Sequence, residues 1–171
     1  MEIQTARLQL ISCNLEILSA IFSGDDEIAK LLKVNLPQRW TENGEPAFSW
    51  TKKHLEEFPN DEHWFTYLHI LKEGKILNGT CGFKGPPCEN GSVELGYEVA
   101  AQNRNLGFAT EITKALIGFA FSHSEVKKII AHTLAEKNSS GRVLTKNGFT
   151  KTAEVEDAED GLIWRWELSR P

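Results

Sequence analysis

Apolar residues recur along the chain with two periods, and the change from one to the other predicts its elements. Leu8 and Leu10 alternate with polar neighbours in Thr5-Ala6-Arg7-Leu8-Gln9-Leu10, which predicts a first strand. From Asn14 to Lys33 the residues Leu15, Leu18, Ile21, Phe22, Ile28, Leu31 and Leu32 follow helical spacing. Ser23-Gly24-Asp25-Asp26 interrupts that stripe and predicts two helices. Residues 36–46 read as a loop, and residues 48–58 as an amphipathic helix stopped by Pro59-Asn60-Asp61. Residues 64–71 and 75–83 are strands joined through Lys72-Glu73-Gly74. After a loop over 85–91, a strand covers 92–100 and a helix covers 111–121, with Ile112, Ala115, Leu116 and Phe119 as its core stripe. A strand over 127–134 follows. Asn138-Ser139-Ser140 starts a short helix, and Gly148 suits its left-handed end. Residues 149–155 and 162–168 form a closing hairpin, with Leu162, Trp164, Trp166 and Leu168 on one face.

Strands and helices intermixed in this way predict an α/β (α+β) fold. A length of 171 residues predicts a single domain, 1–171. No apolar run reaches the ~18 residues of a membrane span, and the first residues lack the pattern of a signal peptide. The expectation is a cytoplasmic protein that uses no membrane. A net charge of −5 argues against nucleic acid as a partner, because phosphate binding is electrostatic first. Cys13, Cys81 and Cys88, and the five scattered histidines, match no metal or redox spacing, so no metal is expected.

The chemistry concentrates between the strand at 92–100 and the helix that follows. There the chain reads Ala100-Ala101-Gln102-Asn103-Arg104-Asn105-Leu106-Gly107-Phe108-Ala109-Thr110. A strand that turns through a glycine into a helix presents unpaired N–H groups and the positive end of the helix dipole. Such a turn cradles an anion, and a phosphate or pyrophosphate suits it best. It is neither a Walker loop nor the three-glycine dinucleotide fingerprint.

Arg104-x-x-Gly107-x-Ala109 resembles the Q/R-x-x-G-x-G/A signature of the GNAT N-acetyltransferase superfamily. Three other runs resemble the branch that includes ribosomal-protein-alanine N-acetyltransferases. These are residues 5–10, Glu94-Leu95-Gly96-Tyr97 with the turn after it, and residues 138–149. The four occur in the family's order and cover nearly the whole chain. Two positions depart from the pattern: Asn105 stands where a glycine is common, and Asn138 lies one residue closer to Ser140 than usual.

The resemblance implies a mixed twisted sheet of six to seven strands, with helices on both faces and two splayed central parallel strands ending near Val99 and Leu134. Acetyl-CoA would enter the gap as co-substrate. Arg104, Asn105, Leu106, Gly107, Phe108, Ala109 and Thr110 would cradle its pyrophosphate. Val99 and Asn138 would flank its pantetheine arm. The implied reaction is acetyl transfer to a primary amine, on a protein N-terminus or a small molecule, with a homodimer possible. At pH 7 a lysine amine is only about 0.04% neutral, and an α-amine roughly 10–20%, so a base is required. Glu94 and Glu98, of equal parity on one strand, are the candidates. Ser140 is the candidate donor to the leaving sulfur, or else only a helix cap. A non-catalytic acyl-CoA-binding module and an unrelated nucleotide-binding domain are the competing readings.

Overall fold

Both periods resolve into one layered arrangement in the computed structural model, which describes residues 1–42 and 44–171. In chain order the elements are β1 (Glu2–Gln4), β2 (Leu8–Ser12), α1 (Leu15–Ser23), α2 (Asp25–Leu32), α3 (Gly44–Glu57), β3 (Thr66–Leu71), β4 (Ile76–Phe83), β5 (Ser92–Val99), α4 (Phe108–Ser122), β6 (Lys128–Leu134), α5 (Ser139–Lys146), β7 (Thr150–Asp157) and β8 (Gly161–Ser169). The sheet runs β1-β2-β3-β4-β5-β6-β8-β7. Every neighbouring pair is antiparallel except β5 and β6.

The sheet has eight strands, against the six to seven expected. The extra one arises at the start of the chain. Thr5 N–H donates to Leu8 C=O at 2.9 Å and Thr5 Oγ1 accepts from Leu8 N–H at 2.9 Å, and this reverses the chain at residues 5–7. The strand expected over 5–10 therefore begins at Leu8, and residues 2–4 return beside it as β1. Asn14 starts α1, with Oδ1 accepting from Ile17 N–H at 2.9 Å. Gly24, at φ 122°, separates α1 from α2 at the predicted break.

Helices α4 and α5 cover one face of the sheet. Their Phe108, Ile112, Leu116 and Leu144 pack with Val93, Leu95, Val99, Ile129 and Trp166. Each such side chain removed from water contributes about 1.5–3 kcal/mol. Helices α1 and α3 cover the other face, where Ile17, Leu18, Phe48 and Leu55 pack on Leu68, Ile70 and Leu77. In the closing hairpin Trp164, Trp166 and Leu168 meet the first of these cores, but Leu162 is 44% exposed beyond the end of the packed layer. Among the described residues no helix is long and apolar enough to cross a membrane.

Candidate active site

Strands β5 and β6 pair only at Ser92–Lys128, Val93–Ile129 and Glu94–Ile130. Beyond Glu94 they separate, although β5 continues to Val99 and β6 to Leu134. The gap opens into a cleft of about 690 Å³. An antiparallel ladder turns alternate residues toward one neighbour. Lys84 N–H bonds Glu94 C=O at 2.9 Å and Ala100 N–H bonds Asn78 C=O at 2.8 Å, which sets the phase of the β4–β5 ladder. Tyr97 and Val99 consequently turn their backbone groups toward the gap.

The cradle closes one end of this cleft. Asn105 adopts φ 65° and Gly107 φ 83°, so the turn uses two left-handed residues. Asparagine tolerates that conformation where most side chains do not, and the expected glycine is dispensable at 105. Gly107 leads directly into α4, and no side chain caps the helix. Its first-turn N–H groups remain available to a ligand. Asn105, Gly107, Phe108, Ala109 and Thr110 line the cleft. Leu106 does not. It is 56% exposed, and its carbonyl accepts from Arg7 at 2.9 Å. Arg104 also lines the cleft, but its side chain is engaged by protein: Nε–H donates to Val99 C=O at 2.9 Å, and a terminal nitrogen pairs with Glu42 at 3.0 Å.

The opposite wall is α5. Asn138 lies outside the cleft lining, and its Oδ1 accepts from Gly141 N–H at 2.8 Å, capping the helix. Ser140 lines the cleft. So do Arg142 and Lys146, which were not singled out in the sequence. Their spacing of four places both on one side of α5, a signal that is visible in the sequence but common to surface helices. Neither belongs to any of the ion pairs among the described residues.

Tyr97 was also missed. It reaches across from β5 and donates its hydroxyl to Ser140 C=O at 3.3 Å. Burial pushes its phenol up to about 12, so it stays protonated at neutral pH.

The two candidate carboxylates face away from α4 and α5, and they differ. Glu98 accepts from Thr41 Oγ1 at 2.8 Å and from Glu42 N–H at 2.5 Å, tying the segment before α3 to the cleft. Glu94 sits where pairing stops. His132, two residues past the last paired position on β6, donates Nδ1–H to Glu94 Oε1 at 3.0 Å, and Lys84 pairs with the same oxygen at 2.5 Å. Burial pushes the Glu94 carboxyl up, but hydrogen bonds from Lys84 and His132 and the charge of Lys84 outweigh it and hold the group below its usual value.

The sequence and the fold are similar to those of known proteins. Residues 7–150 match the acetyltransferase (GNAT) domain family. Over 148 residues the chain is 26% identical to the uncharacterized N-acetyltransferase YjdG of Bacillus subtilis, covering 86% of this chain and 88% of that protein. An acetyltransferase (GNAT family) from Bacillus anthracis has a similar fold, with a TM-score of 0.64 at 19% identity over 99% of this chain and 98% of that one. RimL, a ribosomal L7/L12 alpha-N-protein acetyltransferase solved in complex with coenzyme A, gives a TM-score of 0.70 at 14% identity over the same shares. The family match contains both strands of the splay, the cradle and α5, and the chain belongs to the GNAT acetyltransferase family, as an N-acetyltransferase.

Proposed function

We propose that the protein transfers the acetyl group of acetyl-CoA directly to a primary amine, on a protein N-terminus or a small molecule. One observation carries this reading. The cleft has an uncapped helix N-terminus at one end and the Val99 N–H turned into it further along, at a place where two parallel strands part. A pyrophosphate fits the first feature and a thioester carbonyl the second.

The donor set fits the co-substrate. Arg142 and Lys146 stand across the cleft from the first turn of α4, so a diphosphate between them meets cations on one side and backbone N–H groups on the other. Acetyl-CoA supplies the activated acyl group. The Val99 N–H stabilises the oxyanion as the amine adds. Glu94 stays ionised and holds His132 by its Nδ1–H, which leaves Nε2 to take the proton from the amine. Ser140, with the Tyr97 phenol beside it, hydrogen-bonds the departing sulfur. Glu98 holds the wall of the acceptor site through Thr41 and Glu42. The free thiols of Cys13, Cys81 and Cys88 suit a cytoplasmic setting.

Calorimetric titration with acetyl-CoA tests the co-substrate, with desulfo-CoA, ATP and NAD as controls. Acetyl-CoA should bind selectively, and Arg142→Ala with Lys146→Ala should weaken it about 10- to 100-fold. Failure of the folded protein to bind, or equal binding of ATP or NAD, overturns the reading. With an amine panel, Glu94→Gln should lower the rate and leave acetyl-CoA affinity unchanged. An unchanged rate removes Glu94 from the mechanism.

A further inference from the structure

We propose that His69, on a strand two removed from the cleft, is a positioning residue that orients and polarises the Val99 N–H. The inference rests on the reading of that N–H as the donor to the thioester carbonyl.

His69 is fully buried on β3. Its Nε2 lies 2.8 Å from the carbonyl oxygen of Glu98 on β5, and β4 lies between. The carbonyl oxygen can only accept, so Nε2 carries the proton and Nδ1 is left as an acceptor. Asn78 Nδ2 lies 3.4 Å from that Nδ1, and Asn103 Nδ2–H donates to Asn78 Oδ1 at 2.7 Å. The chain of donors runs in one direction, from Asn103 at the cleft to Asn78, His69 and the Glu98 carbonyl. Asn78, like His69, is fully buried. A buried chain of this kind is costly unless every member is satisfied, as here.

The fold makes room for this reach. The β3–β4 register shifts between Leu68 and Ile70, at His69 itself. Opposite stands Gly79, at φ 135°. A Cβ there would lie 2.2 Å from Glu98 O and 2.9 Å from His69 Nε2. Any side chain at 79 would occupy the space through which the imidazole passes.

The target is informative because of the peptide plane. Glu98 C=O and Val99 N–H belong to one planar trans unit and point in opposite directions. A bond that holds the carbonyl toward β3 holds the N–H toward the gap. A hydrogen bond accepted by the carbonyl also draws charge from the nitrogen and strengthens its N–H as a donor. His69 thereby acts on the reacting carbonyl through one peptide group without touching it.

The experiment uses acetyl-CoA labelled with carbon-13 at the acetyl carbonyl, bound to the whole protein, and reads the carbonyl resonance. In the wild type the resonance should move downfield on binding. In His69→Leu it should move back toward the free value while the affinity for CoA, which has no carbonyl there, stays within about two-fold. His69→Gln, which keeps a donor, should restore the shift. Asn103→Ala, at the cleft end of the chain, removes no buried apolar side chain but takes the donor from Asn78 Oδ1, and should show a smaller retreat; it reads the same chain if His69→Leu fails to fold. A resonance unchanged in both His69→Leu and Asn103→Ala overturns the role of His69 while the Val99 assignment stands. A wild-type resonance that does not move on binding overturns the Val99 assignment, and with it this proposal. Loss of CoA affinity equal to the loss of shift marks a structural role only and also overturns it.

Discussion

Burial drives the His69 imidazole down to about 4, from an ordinary 6.5, and the Glu98 carbonyl only partly opposes this. The folded protein keeps His69 neutral between those values, while the unfolded chain takes up a proton. Stability supplied by the neutral form is therefore complete above pH 6.5. It declines as pH falls toward 4, by up to about 1.4 kcal/mol per unit, and then levels off. Urea midpoints measured from pH 7 to 4 should fall in that window for the wild type and much less for His69→Gln. Glu62 and Glu111 act lower. Burial raises both carboxyls, but the N-terminal amine and Ser12 at Glu62, and Thr5 and Arg7 at Glu111, bring them below the usual value. Their contribution is present above the unfolded carboxylate range and is lost as pH falls through the folded one. Equal slopes for wild type and His69→Gln above pH 4.5 would refute the assignment. Single residues were unevenly legible in the sequence. The turn at Gly107 into the helix with Ala109 and Thr110 in its first turn could be read because it depends on near neighbours in the chain. Tyr97, His132 and His69 hydrogen-bond partners 29 to 43 positions away, Ser140, Glu94 and the Glu98 carbonyl, and no local pattern marks those pairs.

At the scale of elements, two helix starts serve different ends. Helix α5 has eight residues, and Asn138 caps it with its side chain. Asn138→Ala should cost about 1 kcal/mol and lower Tm by about 2–4 °C, while Asn138→Ser should restore most of it. Acetyl-CoA affinity should follow the cap rather than the amide, so Asn138→Ser should bind as the wild type does. Weak binding by a stable Asn138→Ser protein would show that the amide itself touches the co-substrate. Helix α4 has no side-chain cap and is held instead by the chain start. Thr5 Oγ1 and Arg7 N–H donate to Glu111 Oε1 at 2.6 and 2.8 Å, and Arg7 Nε–H donates to Glu111 Oε2 at 2.7 Å. The Arg7 guanidinium also lies over the Phe108 ring at 4.3 Å. These bonds let residues 5–7 brace the start of α4, the helix end that in the proposed function meets the diphosphate. Arg7→Ala should weaken acetyl-CoA binding several-fold, about 3- to 10-fold by calorimetry, with no contact to the ligand lost. Unchanged binding would confine Arg7 to general stability. The helix predicted from 111 begins at Phe108, because Gly107 in its left-handed conformation sets the start of α4.

Over the whole molecule, charge is distributed against its own sum. The chain carries −5, yet the cleft wall brings Arg142 and Lys146 opposite the cradle without carboxylate partners in the ion pairs among the described residues. Acetyl-CoA affinity should fall as ionic strength rises, since exposed cations are screened over about 10 Å at 0.1 M salt. Affinity flat from low to high salt would argue that backbone N–H groups alone hold the diphosphate. The net charge of the chain could not disclose a local reversal of sign. Sequence period and turn chemistry determined the strands, the helices, the break at Gly24 and the glycine turn into α4, because each depends on residues within a few positions of one another. The number of strands, the residue at which β5 and β6 part, the phenol and cations facing the cradle, and the passage from His69 over Gly79 to the Glu98 carbonyl were decided by tertiary structure. They depend on which distant elements become neighbours and, for the strands, in what register, and a one-residue change of register would turn the strand side chains Tyr97 and His69 to the other face.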